Sequence, residues 1–279
     1  MKLATLRVDG TTRAVRLDGD RLADLGAADL GELLAQDDWA ARAAADSATT
    51  YPVAGADFAP VVPRPSKVVC VGLNYKNHIQ EMGRDLPEYP TLFAKFADSL
   101  IGARDDIARP EETAAFDWEV ELALVVGARV RRAKGAEAEA AIAGFTVLND
   151  ITCRDWQFRT REWLQGKMWD SSTPVGPYLV TPDELPGGVR PELEVKLTVD
   201  GEVMQQDTTA DLLFDPVALV EYVSTVVRLN PGDIIATGTP GGVGHARDPK
   251  RYLTGGERVV AEVQGIGRLE NTVVKEGSA

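Results

Sequence analysis

The chain has 279 residues, 44% of them hydrophobic and 26% charged, as is ordinary for a globular protein with a full apolar core. Its formal net charge of −13 argues against nucleic acid or an anionic membrane as a partner, and an anionic substrate would need local cations. The N-terminus lacks the apolar core of a signal peptide and no run reaches transmembrane length, which predicts a cytoplasmic protein.

The first 64 residues predict a small N-terminal domain that is rich in β-structure. Two short alternating strands, KLATLRVDG and TTRAVRLDG, each end in an Asp-Gly pair, which is typical of a hairpin turn. A helical stretch rich in Ala and Asp follows at 27–48, and VVPRPSK with its two prolines marks a linker. We therefore place a domain boundary after residue 64.

Residues 65–279 predict a larger domain in which strands dominate. The hairpin LEVKLTVDGEVMQQ alternates apolar and polar residues before an Asp-Gly turn. Convincing helical patterns are few, mainly around 134–142 and 213–227, and strands and helices do not alternate regularly, which argues against a doubly wound sheet. The pattern predicts an α+β fold that is predominantly β.

A short helical turn is predicted from about Tyr75 to Met82, within VGLNYKNHIQEMGRDLP. On this turn His78 and Glu81 are three residues apart, on one helix face and within hydrogen-bond reach. A carboxylate beside an imidazole orients the ring and stabilises its protonated form, as a general base requires. A solvated His–Glu pair on the surface is the alternative.

The stretch AFDWEVELALVVG reads as a buried strand that carries two glutamates. Side chains alternate along a strand, so Glu119 and Glu121 share one face, about 6.6 Å apart, and the opposite face is wholly apolar. Two buried carboxylates side by side are unfavourable unless a cation lies between them. The alternative, an edge strand with a solvated glutamate pair, stays open for this stretch alone.

Asp150 adds a third carboxylate, because it ends the apolar strand GFTVLND. Three carboxylates without a nearby histidine or cysteine suit a hard cation, Mg²⁺, Mn²⁺ or Ca²⁺, rather than zinc. Asp150 could equally cap the turn that follows. Lys167, which lies between aromatic residues, is either a cation of such a site or a lysine whose stem covers apolar surface.

The chain has only two histidines, His78 and His245, and two cysteines, Cys70 and Cys153. No Gly-x-Ser-x-Gly or His-Glu-x-x-His motif occurs, which removes the main support for a serine hydrolase or a zinc protease. The cysteines indicate reduced core residues, and their spacing excludes a zinc site of cysteines. The glycine-rich run GTPGGVGH is no phosphate loop; it predicts a tight loop whose backbone approaches a ligand or another strand.

From about Lys67 to the C-terminus the sequence resembles the fumarylacetoacetate hydrolase family. The matching segments, in chain order, are VGLNYKNHIQE, PTLFAKFADSLIG, DWEVELALVVG, LNDITCRDWQ, QGKMWDSSTPVGP, GEVMQQDTT and PGDIIATGTPGGVG. EMGRDLP and GGVGHARDPKRYL are most similar to the fumarylpyruvate hydrolase subgroup. The resemblance implies a mixed β-sandwich roll with a smaller N-terminal domain, usually as a homodimer.

The resemblance also implies a metal site. Mg²⁺ or Mn²⁺, with Ca²⁺ as a substitute, would be held by three carboxylates, those of Glu119, Glu121 and Asp150. The cation would make a locally positive pocket in an acidic protein.

The family's catalytic residues fall on His78 as general base, Glu81 as its acidic partner and Lys167. His78 and Glu81 would lie on a segment that orders over bound substrate. Gln157 and Lys167 would contact the carboxylate or enolate of a 2-oxo acid, and Thr239 would lie near the ligand.

The implied reaction is hydrolysis of a C–C bond in a 2,4-dioxo acid such as fumarylpyruvate, in the degradation of aromatic compounds. Water activated by His78 would attack the distal carbonyl, and the products would be fumarate and pyruvate. Alternatives on the same site are oxaloacetate decarboxylation, acylpyruvate hydrolysis and isomerisation or decarboxylation of hydroxy-diene diacids. A non-catalytic metabolite-binding protein is an alternative of another class.

Arg84 is predicted to bind the remote carboxylate of such a substrate. It follows the His78–Glu81 turn directly, and an arginine fork can hold a carboxylate with two hydrogen bonds. A solvated loop arginine is the alternative.

Overall fold

A computed structural model describes residues 1–81, 83 and 85–277, with the backbone alone for His78 and Glu81. These residues form eighteen β-strands: β1 (Lys2–Val8), β2 (Thr11–Asp18), β3 (Arg21–Asp24), β4 (Thr50–Pro52), β5 (Val68–Gly72), β6 (Thr91–Lys95), β7 (Leu100–Ile101), β8 (Ile107–Arg109), β9 (Phe116–Asp117), β10 (Val120–Val126), β11 (Ile142–Asn149), β12 (Thr152–Cys153), β13 (Thr173–Val180), β14 (Glu194–Val199), β15 (Glu202–Thr208), β16 (Ile234–Ala236), β17 (Arg258–Val263) and β18 (Gly267–Lys275).

The helices of the described residues are short. The α-helices are α1 (Leu30–Leu34), α2 (Trp39–Ala44), α3 (Lys76–Glu81), α4 (Ala136–Ala140), α5 (Arg154–Gln157) and α6 (Pro216–Val226). Single 3₁₀ turns occur at Ala97–Ser99, Trp163–Gly166, Pro182–Glu184, Thr209–Asp211 and Gly244–Ala246. The predicted helices at 134–142 and 213–227 correspond to α4 and α6, and the stretch at 27–48 holds α1 and α2.

Two large sheets pack face to face. One has eleven strands in the order β4-β3-β2-β1-β13-β11-β10-β16-β5-β6, with β7 beside β13, and the other has five in the order β15-β14-β17-β18-β8. Most neighbours are antiparallel, but β16 and β5, β13 and β7, and β18 and β8 are parallel. β10, β11 and β13 pack on β14, β17 and β18. The α+β, predominantly β sandwich expected from the sequence is confirmed.

The strand β10 lies inside the large sheet, between β11 and β16. Leu122 and Leu124 point towards the five-stranded sheet and share a core with Val195 and Ala261. Ala123 and Val125 lie on the other face, in the core that includes the residues of α1. Both faces are covered, so the strand is apolar almost throughout. The edge-strand alternative for the glutamate pair is wrong.

The N-terminal strands continue the large sheet. β1 pairs with β13, with Lys2 opposite Val180 and Leu3 opposite Leu179. The Asp-Gly turns form as predicted: Asp9 and Gly10 both have positive φ, and so do Asp200 and Gly201 in the hairpin of β14 and β15. The domain boundary after residue 64 stays a prediction, although backbone hydrogen bonds of the sheet join the two parts.

The site residues lie at one end of the central strands of the large sheet. β11, β16 and β5 run in the same direction, so their C-terminal ends lie at this end of the sheet, where the antiparallel β10 begins. The loops after β5, β11 and β16 therefore meet at the first residues of β10.

Candidate active site

Three carboxylates meet where β10 begins and β11 ends. Glu119 immediately precedes β10, Glu121 is its second residue and Asp150 immediately follows β11; all three are buried. The Asp150 backbone N–H donates to the carbonyl of Glu119 at 2.8 Å, which holds the two segments together. Carboxylate oxygens of the three residues lie within 4.8 Å of one another. The sequence prediction that these side chains converge is confirmed.

Lys167 lies between two of these carboxylates. Its Nζ is 2.7 Å from Glu119 Oε2 and 2.7 Å from Asp150 Oδ2, and the side chain is 1% exposed. Burial by itself would lower the pKa of Lys167, but the adjacent Asp150 and Glu119 outweigh it and the pKa is raised. Lys167 is therefore a charged member of the cluster, and the alternative of a lysine that covers apolar surface is wrong.

A second lysine, Lys95, binds the other oxygen of Asp150. Lys95 is the last residue of β6, and its Nζ donates to Asp150 Oδ1 at 2.7 Å and to the carbonyl of Ile151 at 2.9 Å. Burial tends to raise the pKa of Asp150, but Lys167 and Lys95 lower it more, so the pKa lies below its ordinary value. Asp150 is thus an ionised carboxylate with both oxygens bound to cations.

Arg154 completes the network on the Glu119 side. It begins α5, and its Nη2 lies 2.6 Å from Glu119 Oε1 while its Nε donates to Asp117 Oδ2 at 2.8 Å. Its Nη1 donates to the side-chain oxygen of Gln157 at 3.0 Å. Burial would lower the pKa of Arg154, but Glu119 and Asp117 raise it above its ordinary value. The planar guanidinium of Arg154 therefore contacts the side chains of Glu119, Asp117 and Gln157 at once.

Glu121 differs from the other carboxylates of the cluster. One of its oxygens accepts the backbone N–H of Gly238 at 2.7 Å, and no basic side chain among those described forms an ion pair with it. Burial, and then the charges of Asp150 and Glu119, raise the pKa of Glu121 well above its ordinary value.

The charges of the buried cluster do not balance. When Glu121 is ionised, the four carboxylates outnumber the three cations by one: Asp117, Glu119, Glu121 and Asp150 against Lys95, Arg154 and Lys167. A divalent cation held by oxygen ligands would supply the missing positive charge next to Glu121. The donor set therefore fits a hard divalent metal.

The loop after β16 closes the cluster from the side of Glu121. The hydroxyl of Thr239 donates to the carbonyl of Val120 at 2.9 Å and accepts from Gln205 Nε2 at 2.8 Å. Gly238 has φ +103°, and a Cβ there would lie 3.0 Å from the Cβ of Asn74. The glycine-rich run approaches other strands closely, as predicted: a Cβ on Gly242 would lie 2.1 Å from the Met204 carbonyl.

A cavity of about 370 Å³ opens in front of the cluster. Its polar lining includes five residues that the sequence singled out for the site: Glu119, Glu121, Gln157, Lys167 and Thr239. The remaining described lining residues are mostly apolar: Val71, Gly72, Leu73, Phe93, Arg154, Phe158, Trp163, Val243, His245 and Ala246. Asp150 does not line the cavity itself, but its Oδ2 binds Lys167, which does.

Three of the predicted site residues are not described with side chains. α3 spans Lys76–Glu81 and agrees with the predicted helical turn, but the side chains of His78 and Glu81 lie outside the described residues. Arg84 lies outside them entirely. The roles given to His78, Glu81 and Arg84 stay predictions.

Sequence reasoning missed several residues of this network: Lys95, Asp117, Arg154, Gln205 and His245. A signal existed for Lys95, which ends an apolar strand where a lysine needs a buried carboxylate. Arg154 follows Asp150 by four residues, in a segment already singled out. Asp117 and Gln205 carry no local pattern that would separate them from solvated residues.

The two cysteines take no part in the polar network. Cys70 and Cys153 are free and buried, as predicted. Burial raises the pKa of Cys153 to about 12 and that of Cys70 well above its ordinary value, so both are protonated thiols at neutral pH.

Comparison with known proteins identifies the family. Residues 67–274 match the family described as fumarylacetoacetate (FAA) hydrolase, C-terminal. The chain belongs to the fumarylacetoacetate hydrolase family. The resemblance seen in the sequence is thereby confirmed, and the chain is related to enzymes.

Individual relatives carry different activities in their names. A mitochondrial oxaloacetate tautomerase from Bos taurus is 43% identical over 235 residues, which cover 84% of this chain and 74% of that protein. A fumarylacetoacetate hydrolase from the psychrophilic Exiguobacterium antarcticum is 30% identical with a TM-score of 0.88, covering 99% and 100% of the two chains. A maleylpyruvate hydrolase from Sphingobium is 27% identical with a TM-score of 0.80, over the same shares.

In the described part of the chain, no helix is both long and apolar enough to cross a membrane.

Proposed function

We propose that this protein is a divalent-metal-dependent enzyme that binds the 2-oxo acid end of a small dicarboxylic substrate and stabilises its enolate form. The observation that carries this proposal is the charged, buried Lys167 between Glu119 and Asp150, at the wall of the cavity. A bound Mg²⁺ or Mn²⁺, with Ca²⁺ as a substitute, would polarise the carbonyl and carboxylate oxygens of the substrate. Glu119, Glu121 and Asp150 would hold it.

Lys167 and Gln157 have hydrogen-bond donors to spare for the substrate. The ammonium of Lys167 has three N–H groups, and two of them bind carboxylates. The third N–H is left for an oxygen of the substrate in the cavity. The ring of Phe93 also lines the cavity, and its centroid lies 4.9 Å from Lys167 Nζ. Because the Gln157 side-chain oxygen accepts from Arg154, its amide NH₂ is left to donate to the substrate carboxylate.

Thr239 is the third residue that we expect near the substrate. Its hydroxyl hydrogen is already donated to the carbonyl of Val120. We therefore propose that Thr239 shapes this end of the cavity and offers a bound substrate only an acceptor.

The first candidate reaction is the keto–enol interconversion of oxaloacetate. The 43% identity to an oxaloacetate tautomerase over 84% of the chain favours it. In this reaction the proton moves between C3 and the oxygen on C2, and no second reactant is consumed. Lys167 would stabilise the charge that develops on that oxygen, and His78 would carry the proton.

The second candidate is hydrolysis of the C–C bond of a 2,4-dioxo acid such as fumarylpyruvate. The cavity favours it, because much of its lining, including Phe93, Trp163 and Val243, is apolar and would pack against an unsaturated chain. A maleylpyruvate hydrolase also shares the fold.

The hydrolytic step balances with water alone. Water, deprotonated by His78, would attack the acyl carbonyl, and the C–C bond would break with its electron pair going to C3 of pyruvate. The resulting enolate would then be protonated at C3, which gives pyruvate and fumarate.

The test is a substrate panel of oxaloacetate, fumarylpyruvate and acetylpyruvate with Mn²⁺-loaded protein. Because free metal ions polarise 2-oxo acids themselves, the control is Lys167→Met protein at the same total metal concentration. We expect metal-dependent turnover of at least one of the three acids, with the loss on Lys167→Met greatest for that substrate. Turnover that survives exhaustive chelation would contradict metal dependence, and binding without any turnover would favour the non-catalytic alternative.

A further inference from the structure

His245 lines the cavity and contacts the carboxylate cluster only through Asp117 and Arg154. It belongs to the 3₁₀ turn Gly244–Ala246 in the loop after β16, and it lines the cavity together with Arg154. Its backbone N–H donates to Asp117 Oδ2 at 2.9 Å, the oxygen that also accepts from Arg154 Nε at 2.8 Å. Since Arg154 contacts Glu119 with its other end, one Arg–Asp bridge separates His245 from the metal ligands.

The imidazole of His245 is held in a fixed position. Its Nδ1 lies 2.8 Å from the hydroxyl of Tyr252, and its ring centroid is 5.2 Å from that of Phe158. The backbone is equally constrained, because the N–H of Gly244 donates to Asp117 Oδ1 at 2.7 Å. A ring supported on two sides in this way can serve as a precise hydrogen-bonding group.

The second ring nitrogen, Nε2, forms no hydrogen bond with any described residue. When the Tyr252 hydroxyl donates to Nδ1, the hydrogen of a neutral imidazole is on Nε2, which is then a donor. Burial, and then the positive charges of Lys250 and Arg154, lower the pKa of His245, whereas Asp117 raises it. The imidazole is therefore neutral at pH 7, and the two cations that lower its pKa also favour an anion beside it.

We infer that His245, supported by Tyr252, binds the distal carboxylate of a substrate whose 2-oxo acid end lies at Lys167. This inference rests on the proposed function, since it takes the 2-oxo acid end from there. It favours the second candidate of the proposed function, a 2-oxo diacid longer than oxaloacetate, because the two carboxylates of oxaloacetate are too close together to span an Arg–Asp bridge. His245 is then a specificity-determining residue, independent of the prediction made for Arg84.

The test compares the binding of two seven-carbon acids to Mn²⁺-loaded protein by calorimetry. The diacid 2-oxoheptanedioate has the chain length of fumarylpyruvate, and the monoacid 2-oxoheptanoate has a methyl group in place of the distal carboxylate. We expect wild-type protein to bind the diacid more tightly than the monoacid. His245→Ala should lower the affinity for the diacid by about 10–100-fold, the range for a hydrogen bond to a charged group. The monoacid should bind both proteins equally.

Two further variants separate a binding role from a structural one. His245→Gln places an amide N–H near the position of Nε2 and should restore part of the diacid affinity. Tyr252→Phe should give a smaller loss than His245→Ala, because only the orientation of the ring hydrogen changes. Tyr222→Phe is the matched control, since its ring stacks on Tyr89 outside the cavity lining.

Equal losses for diacid and monoacid in His245→Ala would overturn the inference, as would a wild-type protein that binds both acids equally well. If His245→Ala does not fold, unchanged diacid binding by Tyr252→Phe would overturn it. Binding of neither acid in a metal-dependent manner would instead contradict the proposed function, and with it the premise of the inference.

Discussion

The buried carboxylates of this site differ in how their charge is compensated. Glu119 is bound on both oxygens, by Lys167 and by Arg154, whereas Glu121 accepts only the backbone N–H of Gly238. Removing one member of a buried ion pair leaves an uncompensated charge, but removing an unpaired buried charge relieves a desolvation penalty. Two side chains of the same type, two residues apart, should therefore respond oppositely to the same substitution.

We predict that Glu119→Gln destabilises the metal-free protein by about 3–5 kcal/mol, the range for breaking a buried pair. Glu121→Gln should leave it unchanged or more stable, because the amide oxygen can still accept from Gly238. Urea unfolding in the presence of a chelator measures both. Equal destabilisation by the two variants would contradict the prediction, because it would mean that Glu121, like Glu119, has a cationic partner.

The same pair gives a prediction for pH. The pKa of Glu121 is raised above its ordinary value of 4.5, so between 4.5 and the folded-state pKa only the unfolded state ionises. Over that window metal-free wild type should lose stability relative to Glu121→Gln by about 1.4 kcal/mol per pH unit. Urea unfolding at intervals from pH 4 to pH 8 checks this. If the difference in unfolding free energy between Glu121→Gln and wild type shrinks as the pH rises, the prediction has the wrong sign.

For His78 we predict a loss of catalysis without a loss of metal. His78→Asn cannot accept a proton, so turnover should fall by about 10²–10⁴-fold, the usual contribution of general acid–base catalysis. Mn²⁺ affinity, measured by titration of the metal-free protein, should stay within the error of wild type. A parallel fall in metal affinity would mean that His78 is a ligand.

At the scale of elements, the site depends on the loop between β16 and β17. Its glycines let the backbone lie against other strands: Gly238 donates its N–H to Glu121, and Gly244 donates to Asp117. Gly242 has φ +99° and lies against the carbonyl of Met204. The loop is therefore held on β15 at one point and on the carboxylate cluster at two others.

We predict that Gly242→Ala lowers both stability and turnover, because the new Cβ would lie 2.1 Å from the Met204 carbonyl and the loop would have to move. Gly255→Ala is the matched control: φ is +124°, but nothing lies within 4 Å of its Cβ. The control should lose only about 1–3 kcal/mol of stability, the cost of a non-glycine residue in this backbone conformation, and keep its kcat. Thermal unfolding and steady-state kinetics distinguish the two. Equal kcat values for both variants would show that the loop does not position the site.

At the scale of the whole molecule, the N-terminal strands and the rest of the chain share one sheet. Leu3 and Leu6 are buried, and β1 occupies the edge of β13. Removing residues 1–64 would expose that edge and the apolar residues beneath it, which favours aggregation.

We predict that the fragment 65–279 aggregates or unfolds without a single cooperative transition, whereas the full chain unfolds in one. Size-exclusion chromatography and urea unfolding of the two proteins side by side measure this. If the fragment remains monodisperse and unfolds at the midpoint of the full chain, residues 1–64 and 65–279 are independent domains.

The sequence by itself determined the local features of this protein. Alternation along β10 assigned Glu119 and Glu121 to one face and the apolar residues Leu122 and Leu124 to the other, as found. The Asp-Gly turns and the predominance of strands followed equally from short-range rules, since side-chain direction and turn conformation depend on a few neighbouring residues. The sandwich was implied by the family resemblance. The end of the apolar strand GFTVLND supplied the third carboxylate, Asp150, and the family resemblance assigned it to the metal site.

Only the tertiary structure decided which charges meet. Lys167 contacts Glu119 across 48 residues and Lys95 contacts Asp150 across 55, and the periodicity of the sequence carries no information about such pairs. Coulomb interactions and hydrogen bonds depend on distance in space, which sheet order sets and local pattern does not. For the same reason the joining of β1 to β13 and the position of His245 on the cavity wall emerge only once the strands are assembled.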